Sequence, residues 1–198
     1  LHSFPTRRSS DLVGEQRKKT DANRAGKKKS EAREWIISIV VAVSVAVIIK
    51  LFLFDFVMVQ GSSMYPTLKQ SERLVINKLE YEIGEPAYGD IVVLRYSRGI
   101  DYVKRVIAKG GDTIEIKNMK VYRNGRLLKE SYINKESYGD FAKVTVPAGK
   151  YFVMGDNRAN SSDSRYADLG FVDEDDMIGH VVFRFWPWGK IGSIQDGH

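Results

Sequence analysis

The sequence predicts a mainly β protein, an antiparallel-sheet domain preceded by a single apolar helix. Three observations carry this prediction. Beyond residue 70, short runs rich in Val, Ile, Tyr and Phe alternate with turn residues, the pattern of short antiparallel strands. The step Asn124-Gly125 lies between Val121-Tyr122 and Leu127-Leu128, and a type I′ hairpin turn needs two residues that tolerate positive φ. Ahead of the domain, Trp35–Phe54 is almost unbroken in apolar character.

In chain order, Leu1–Leu12 (LHSFPTRRSSDL) shows no periodicity and reads as a candidate non-native scar. Glu15–Glu34 is polar and Lys-rich, so residues 1–34 are expected to form a basic disordered tail. Trp35–Ile49 carries no charge, Lys50 interrupts, and Leu51–Phe54 resumes. A stretch of about 20 residues suffices to cross a hydrocarbon core of ~30 Å as a helix. A buried helix or strand of a soluble core competes, but few soluble segments stay this apolar for this long. A cleaved signal peptide competes too; the apolar run is long for one, and no clear small-x-small site follows before Gly61. The expectation is an uncleaved anchor over 35–54. Eight Lys/Arg residues between Arg17 and Arg33 place the tail in the cytoplasm and residues 56–198 outside.

Strands are expected at Arg73–Asn77, Asp90–Tyr96, Tyr102–Lys109, Thr113–Lys117, Lys120–Arg123, Lys143–Val146, Tyr151–Met154 and Ile178–Phe185. Turn residues at Gly84, Pro86, Gly89, Gly110-Gly111, Pro147 and Gly149 separate them.

Composition removes several function classes. The net charge of +6 could point to nucleic acid, but residues 1–34 hold ten Lys/Arg against five Asp/Glu, so the excess belongs to the tail. With no cysteine, disulfides, thiolate metal sites and a cysteine nucleophile are excluded. His2 and His198 sit at the chain ends, leaving His180 as the one histidine available to a Ser-His-Asp triad. It lies in the apolar run Gly179–Phe183 and reads as structural.

Four segments join reactive residues to turn chemistry: Gly61–Leu68 (GSSMYPTL), Gly89–Val93 (GDIVV), Asp101–Val106 (DYVKRV) leading to Gly110-Gly111-Asp112, and Gly155–Arg165 (GDNRANSSDSR). Each alone reads as an ordinary turn or edge strand. Together, and in this order after an apolar span, they resemble the sequence boxes of bacterial type I signal peptidases. The resemblance runs from about Trp35 to Ile194, and the spacing of the last two boxes is similar to the compact Gram-positive-type branch.

This resemblance implies a signal-peptidase-like β domain with Ser63, directly before Met64, as nucleophile and Lys104, before Arg105, as general base. It implies that Ser161 orients the lysine amine, that Asp163 and Arg165 form a supporting ion pair, and that Asp156 with Arg158 stabilises the same loop. Some family members carry a serine two residues before the nucleophile that helps form the oxyanion hole; here that position is Gly61. The main-chain N–H of Ser63 remains as one donor, and Ser62, another backbone group or water are the alternatives for the second. Gly61 also suits a sharp turn at positive φ. The resemblance further implies cleavage of exported preproteins after small residues at −1 and −3, in the bacterial cell membrane, without metal or cofactor. Met64, Tyr65 and Pro66 are the first candidates for substrate contact. Lipid is an expected partner and nucleic acid is not; the chain is expected to be a monomer.

The physical reading of Lys104 agrees. Lysine in water titrates near 10.4, and burial disfavours the ammonium form. Tyr102, Val103, Val106 and Ile107 surround Lys104, and on a strand its side chain shares a face with Tyr102 and Val106. Arginine could not serve as base, so Arg105 on the opposite face is structural or solvent-paired. The aromatics Phe52, Phe54, Phe56 and the run Phe183–Trp188 suit either a membrane interface or a core and sheet edge. Other classes fit less well. A self-cleaving Ser-Lys repressor would carry a DNA-binding domain in place of the anchor. A eukaryotic-type signal peptidase usually has His where Lys104 stands. A non-enzymatic membrane-tethered module leaves the paired boxes unexplained.

Overall fold

The computed structural model describes residues 33–49, 53–96, 99–133, 139–194 and 197. The proposed tail, the candidate scar and residues 50–52 lie outside this set, apart from Arg33 and Glu34. The chain divides into two compact units, residues 1–49 and 50–198. In the first, residues 33–49 form helix α1, whose side chains are all exposed, from Trp35 to Ile49. No described helix is long and apolar enough to cross a membrane. The expected helical span to Phe54 is also shortened from the other side: Leu53 is a turn residue and Phe54 begins a strand.

In the second unit the described strands all pair antiparallel. Strands β1 (Phe54–Met58), β2 (Arg73–Asn77), β3 (Ile91–Tyr96), β4 (Ile100–Lys109), β9 (Lys150–Met154), β10 (Val172–Asp173), β11 (Met177–Trp186) and β12 (Gly192–Ser193) form one sheet. Its order is β1-β2-β11-β3-β4-β9-β10, with β12 on β11. A smaller sheet, β7-β6-β5-β8, is built from β5 (Thr113–Lys117), β6 (Lys120–Arg123), β7 (Arg126–Leu127) and β8 (Phe141–Thr145). A one-turn helix, α2 (Leu79–Ile83), follows β2. The predicted turn joins β6 to β7: Asn124 and Gly125 have φ of 53° and 75°, and Arg123 pairs with Arg126.

The larger sheet is covered on both faces, as the unbroken apolar run of β3 requires. Ile91 and Val93 join Val59, Met64, Leu68, Leu74, Ile76 and Val181 on one face. Val92 and Leu94 join Val106, Tyr151, Val153 and Met177 on the other. A third cluster joins Ile107, Phe152 and Met154 of the larger sheet to Ile114, Ile116 and Val121 of the smaller one.

Among the described residues, the larger sheet has an unpaired edge at β1 and another along part of β4. Among those residues β1 pairs only with β2, so no other described strand lies along its second side. Strand β4 pairs with β3 from Ile100 onward but with β9 only from Arg105, leaving Ile100–Lys104 unpaired on one side. Unpaired strand edges are ready templates for another extended chain.

Candidate active site

The loop after β1 carries Ser63. Val59 and Glu72 close its base through the bond from Val59 N–H to Glu72 C=O (2.9 Å), and Met64 and Leu68 sink into the core at 2% and 0% exposure. The loop therefore rests on buried anchors while its tip stays accessible; Gly61 is exposed with φ of +85°.

Strand β4 brings Lys104 to this loop. Its side chain is buried, its Nζ lies 3.0 Å from Ser63 Oγ and 3.1 Å from the Val103 carbonyl, and the ammonium sits 4.8 Å from the Tyr102 ring centroid. Burial lowers the lysine pKa to about 8, although the carboxylates of Asp163 and Asp156 pull it upward. Desolvation prevails because it penalises the charged form directly, while the carboxylates' charge is shared with their own cationic partners. The apolar setting read from the strand alternation is present.

The third component is the loop after β9, residues 155–165. Asn157 N–H donates to Ser63 C=O (2.9 Å) and its side-chain amide to Ser62 C=O (3.0 Å). Asn160 Nδ2 donates to Ser62 Oγ (2.8 Å). Gly155 is a contact point with no room for a side chain: a Cβ there would stand 2.3 Å from Ser161 Oγ and 2.5 Å from Ser63 O. Asp163 holds Arg165 through two bonds (2.8 and 2.9 Å) and accepts Gly155 N–H (3.0 Å), so this expected ion pair forms and braces the loop.

Two expectations need correction, those for Ser161 and for Tyr65 with Pro66. Ser161 is buried against Gly155, but its Oγ has no hydrogen-bond partner among the described residues, and the Lys104 amine bonds Ser63 and Val103 instead. Asp156 and Arg158 hold the loop through different partners. Asp156 takes the fully buried Arg105 in a bidentate pair (2.9 and 2.8 Å) and Thr67 Oγ1 at 2.5 Å. Arg158 binds Glu130 and the Gly155 carbonyl. Arg105 also donates to Gly89 C=O (2.6 Å) and stacks on Tyr132 at 4.0 Å, so it is a structural cation and not a solvent-paired one. Of the substrate-contact candidates, Met64 reaches the cleft wall from its core position, while Tyr65 and Pro66 are absent from the lining.

Sequence reasoning gives no part to Asn157, Asn160, Glu130, Thr67 and Tyr132. Asn157 and Asn160 carry a signal as members of the eleven-residue box and Thr67 as a member of Gly61–Leu68, while Glu130 and Tyr132 carry none.

A cavity of about 620 Å³ opens over the Ser63–Lys104 pair. Residues 57–60 of β1 and its extension line one side, residues 99–104 the other, and Ser62, Asn160 and Ser162 complete it. Both open strand edges thus border one cleft. His180 lies elsewhere, within 3.1 Å of Glu80 and stacked on Tyr81. Glu80, Asp90 and His180 bring possible ligand atoms within 4.8 Å of one another. Asp90 is engaged by the Tyr81 hydroxyl (3.0 Å) and Ala87 N–H (2.8 Å), and hydrogen bonding accounts for the cluster.

Comparison with known proteins agrees with the resemblance. Residues 32–186 match the family model for signal peptidase, peptidase S26. Signal peptidase I T of Bacillus subtilis (strain 168) is 44% identical over 190 residues, covering 90% of this chain and 98% of its own. Signal peptidase IB of Staphylococcus aureus (strain Mu50 / ATCC 700699) is 41% identical over 180 residues, covering 82% of this chain and 93% of its own. A solved signal peptidase I from Enterococcus faecalis V583 is 35% identical over 50% of this chain and 98% of its own, with a TM-score of 0.45. The family match spans most of the chain and the two curated relatives align nearly end to end, so this protein belongs to the signal peptidase family, peptidase S26, and is a serine peptidase.

Proposed function

We propose that the chain is a membrane-anchored endopeptidase that removes signal peptides from exported preproteins through a Ser63–Lys104 dyad. The observation that carries this reading is the 3.0 Å approach of a buried lysine amine to Ser63 Oγ beneath the cleft. A serine hydroxyl is a weak nucleophile without a base at such a distance. Neutral Lys104 accepts the Ser63 proton as Oγ attacks the scissile carbonyl carbon, and the developing oxyanion is stabilised by main-chain N–H donation. The protonated amine then delivers its proton to the leaving nitrogen as the peptide bond breaks, and Lys104 activates water to release the acyl group. The cycle calls on no cofactor.

An extended substrate suits the two open edges, since a strand added to an exposed edge is held by main-chain hydrogen bonds while alternate side chains enter pockets. Small residues at −1 and −3 follow if those pockets are shallow. Asp163, Arg165, Asp156 and Arg158 act here as supports of the loop, and Ser161 by its packing at Gly155.

The anchor is read from the apolar sequence that begins at Trp35 and from the exposed apolar side chains of α1, and it spans the bacterial cell membrane once. The tail is then cytoplasmic and the peptidase unit, a monomer, works on the outer face. Exposed Phe56, Trp186 and Trp188 suit contact with lipid.

The test is processing of a preprotein with an Ala-x-Ala site by the chain in detergent or lipid. Wild type is expected to cut after the second small residue, and Ser63→Ala and Lys104→Ala to fall to background while folded. Cleavage at the same site by Ser63→Ala would remove the nucleophile assignment. A folded wild type that cuts nothing across several preproteins would favour a binding module.

A further inference from the structure

We propose that the hydroxyl of Ser62 is the second donor to the oxyanion and that Asn160 is the residue that positions it. The proposal rests on the Ser63–Lys104 reading and assigns a role that reading leaves open. Attack by Ser63 turns a carbonyl oxygen into an anion, and donors aimed in advance at that oxygen contribute the largest share of catalysis in acyl transfer. Ser63 N–H donates to no group among the described residues, so it is available as one donor. Gly61, two residues before the nucleophile, has no side chain to offer as the other.

Ser62 has what Gly61 lacks, and its surroundings fix how it is used. A hydroxyl carries one proton and two lone pairs. Asn160 Nδ2, at 2.8 Å, occupies a lone pair of Ser62 Oγ, and the proton of that hydroxyl has no acceptor among the described residues. Ser62 and Asn160 both line the cavity that contains Ser63 and Lys104, so the uncommitted proton is available to a substrate oxygen there. The backbone beneath is held: Ser62 C=O accepts Asn157 Nδ2 (3.0 Å) and Tyr65 N–H (3.1 Å), and Asn160 is itself tied by its N–H to Asn157 C=O (2.9 Å). The side-chain oxygen of one residue and the N–H of the next are separated by only a few bonds, so both donors can converge on a single oxygen. An exposed serine would ordinarily sample three rotamers; the Asn160 bond selects among them before substrate arrives.

The experiment compares the full chain in detergent with Ser62→Ala, Ser62→Thr, Asn160→Ala, the Ser62→Ala/Asn160→Ala double variant and Ser63→Ala. For each, kcat and KM are measured on a preprotein, together with affinity for a peptide aldehyde, whose hemiacetal oxygen occupies the oxyanion position. Ser62→Ala is expected to lower kcat about 100-fold with KM little changed, and to weaken aldehyde binding in parallel. Ser62→Thr, which keeps the hydroxyl, should restore most of the rate. Asn160→Ala should lose less than Ser62→Ala, and the double variant should lose no more than Ser62→Ala alone. An unchanged kcat in Ser62→Ala, or a rise in KM alone, overturns the assignment. Additive losses in the double variant overturn the role of Asn160. If Ser63→Ala is inactive and Ser62→Ala is not impaired, only the second donor is wrong; if Ser63→Ala still cleaves, the Ser–Lys reading itself has failed.

Discussion

Replacing Lys104 by Met should abolish cleavage and, at neutral pH, make the protein more stable. The lysine pKa falls from an ordinary 10.5 to about 8, chiefly through burial. That difference corresponds to roughly 3 kcal/mol between the two protonation states. Because the folded-state value lies below the unfolded one, the sign is fixed. Below pH 8 both states bind the proton and the fold carries the full cost of a desolvated ammonium. Between about 8 and 10.5 the unfolded chain binds more protons than the folded one, so this group's contribution to stability rises with pH. Above 10.5 both states are neutral and the cost is gone. Met fills a similar volume without a charge, while forfeiting bonds to Ser63 and the Val103 carbonyl worth about 1 kcal/mol each. A net gain of about 1–2 kcal/mol is expected at pH 7, shrinking to nothing or below by pH 10.5. Denaturant unfolding of wild type and variant across pH 6–10.5 measures it. The same titration governs rate: at pH 7 about one enzyme in ten carries the neutral amine, against about one in 3,000 at an unshifted value. The quantity kcat/KM should therefore climb with pH and level off above about 8. A stability difference that does not vary with pH, or a rate limb that continues to climb toward 10.5, would refute the argument that burial sets the lysine's state.

Two further substitutions test the supporting frame. Gly155→Ala places a methyl 2.3 Å from Ser161 Oγ and 2.5 Å from Ser63 O, so the nucleophile loop or the 155–165 loop must move. A displacement near 1 Å costs on the order of 100-fold in rate, to be read as kcat on a preprotein with the thermal midpoint as control. Glu130→Ala strips the carboxylate from Arg158, which is 1% exposed, and leaves a buried guanidinium without its counter-charge. A loss of about 3–5 kcal/mol is expected in urea unfolding, and a loss under 1 kcal/mol would show that water or another group replaces Glu130.

The sequence and the structure agree most closely where spacing alone carries the information. The longer strands fall within a residue or two of their expected bounds, because alternation over five or more residues and the turns between them are local properties. Alternation puts Lys104 on one strand face with Tyr102 and Val106, and the lysine does lie over the Tyr102 ring. Strand β1 is not among the expected strands, and its first residue, Phe54, falls in the expected helix, for a physical reason. Leu51–Val59 prolongs the apolar run of the helix, and its one-sided pairing at a sheet edge produces only a partial burial pattern. Apolar content without clear periodicity does not divide a helix from the strand that follows it.

The ion pairs show the opposite limit. Asp156 and Arg158 stand two residues apart in one box, but their partners lie far along the chain: Asp156 takes Arg105 from 51 positions away and Arg158 takes Glu130 from 28. Which cation meets which carboxylate depends on how β4, β9 and the segment after β7 come together, and on burial that makes each pairing obligatory. Ser161 illustrates the same point, since its neighbour is decided by the close approach of Gly155 and not by its place in the motif.

What the sequence determined by itself was the kind of chemistry: a serine, a lysine in an apolar strand, no cysteine, and a His180 whose apolar run reads as structural. These are matters of residue type and local pattern. The tertiary structure decided the 3.0 Å between Ser63 and Lys104, the two open edges that border one cleft, and the asparagines that hold the Ser62–Ser63 backbone. Those depend on strand register and on contacts 41 to 98 residues apart, which no local pattern encodes.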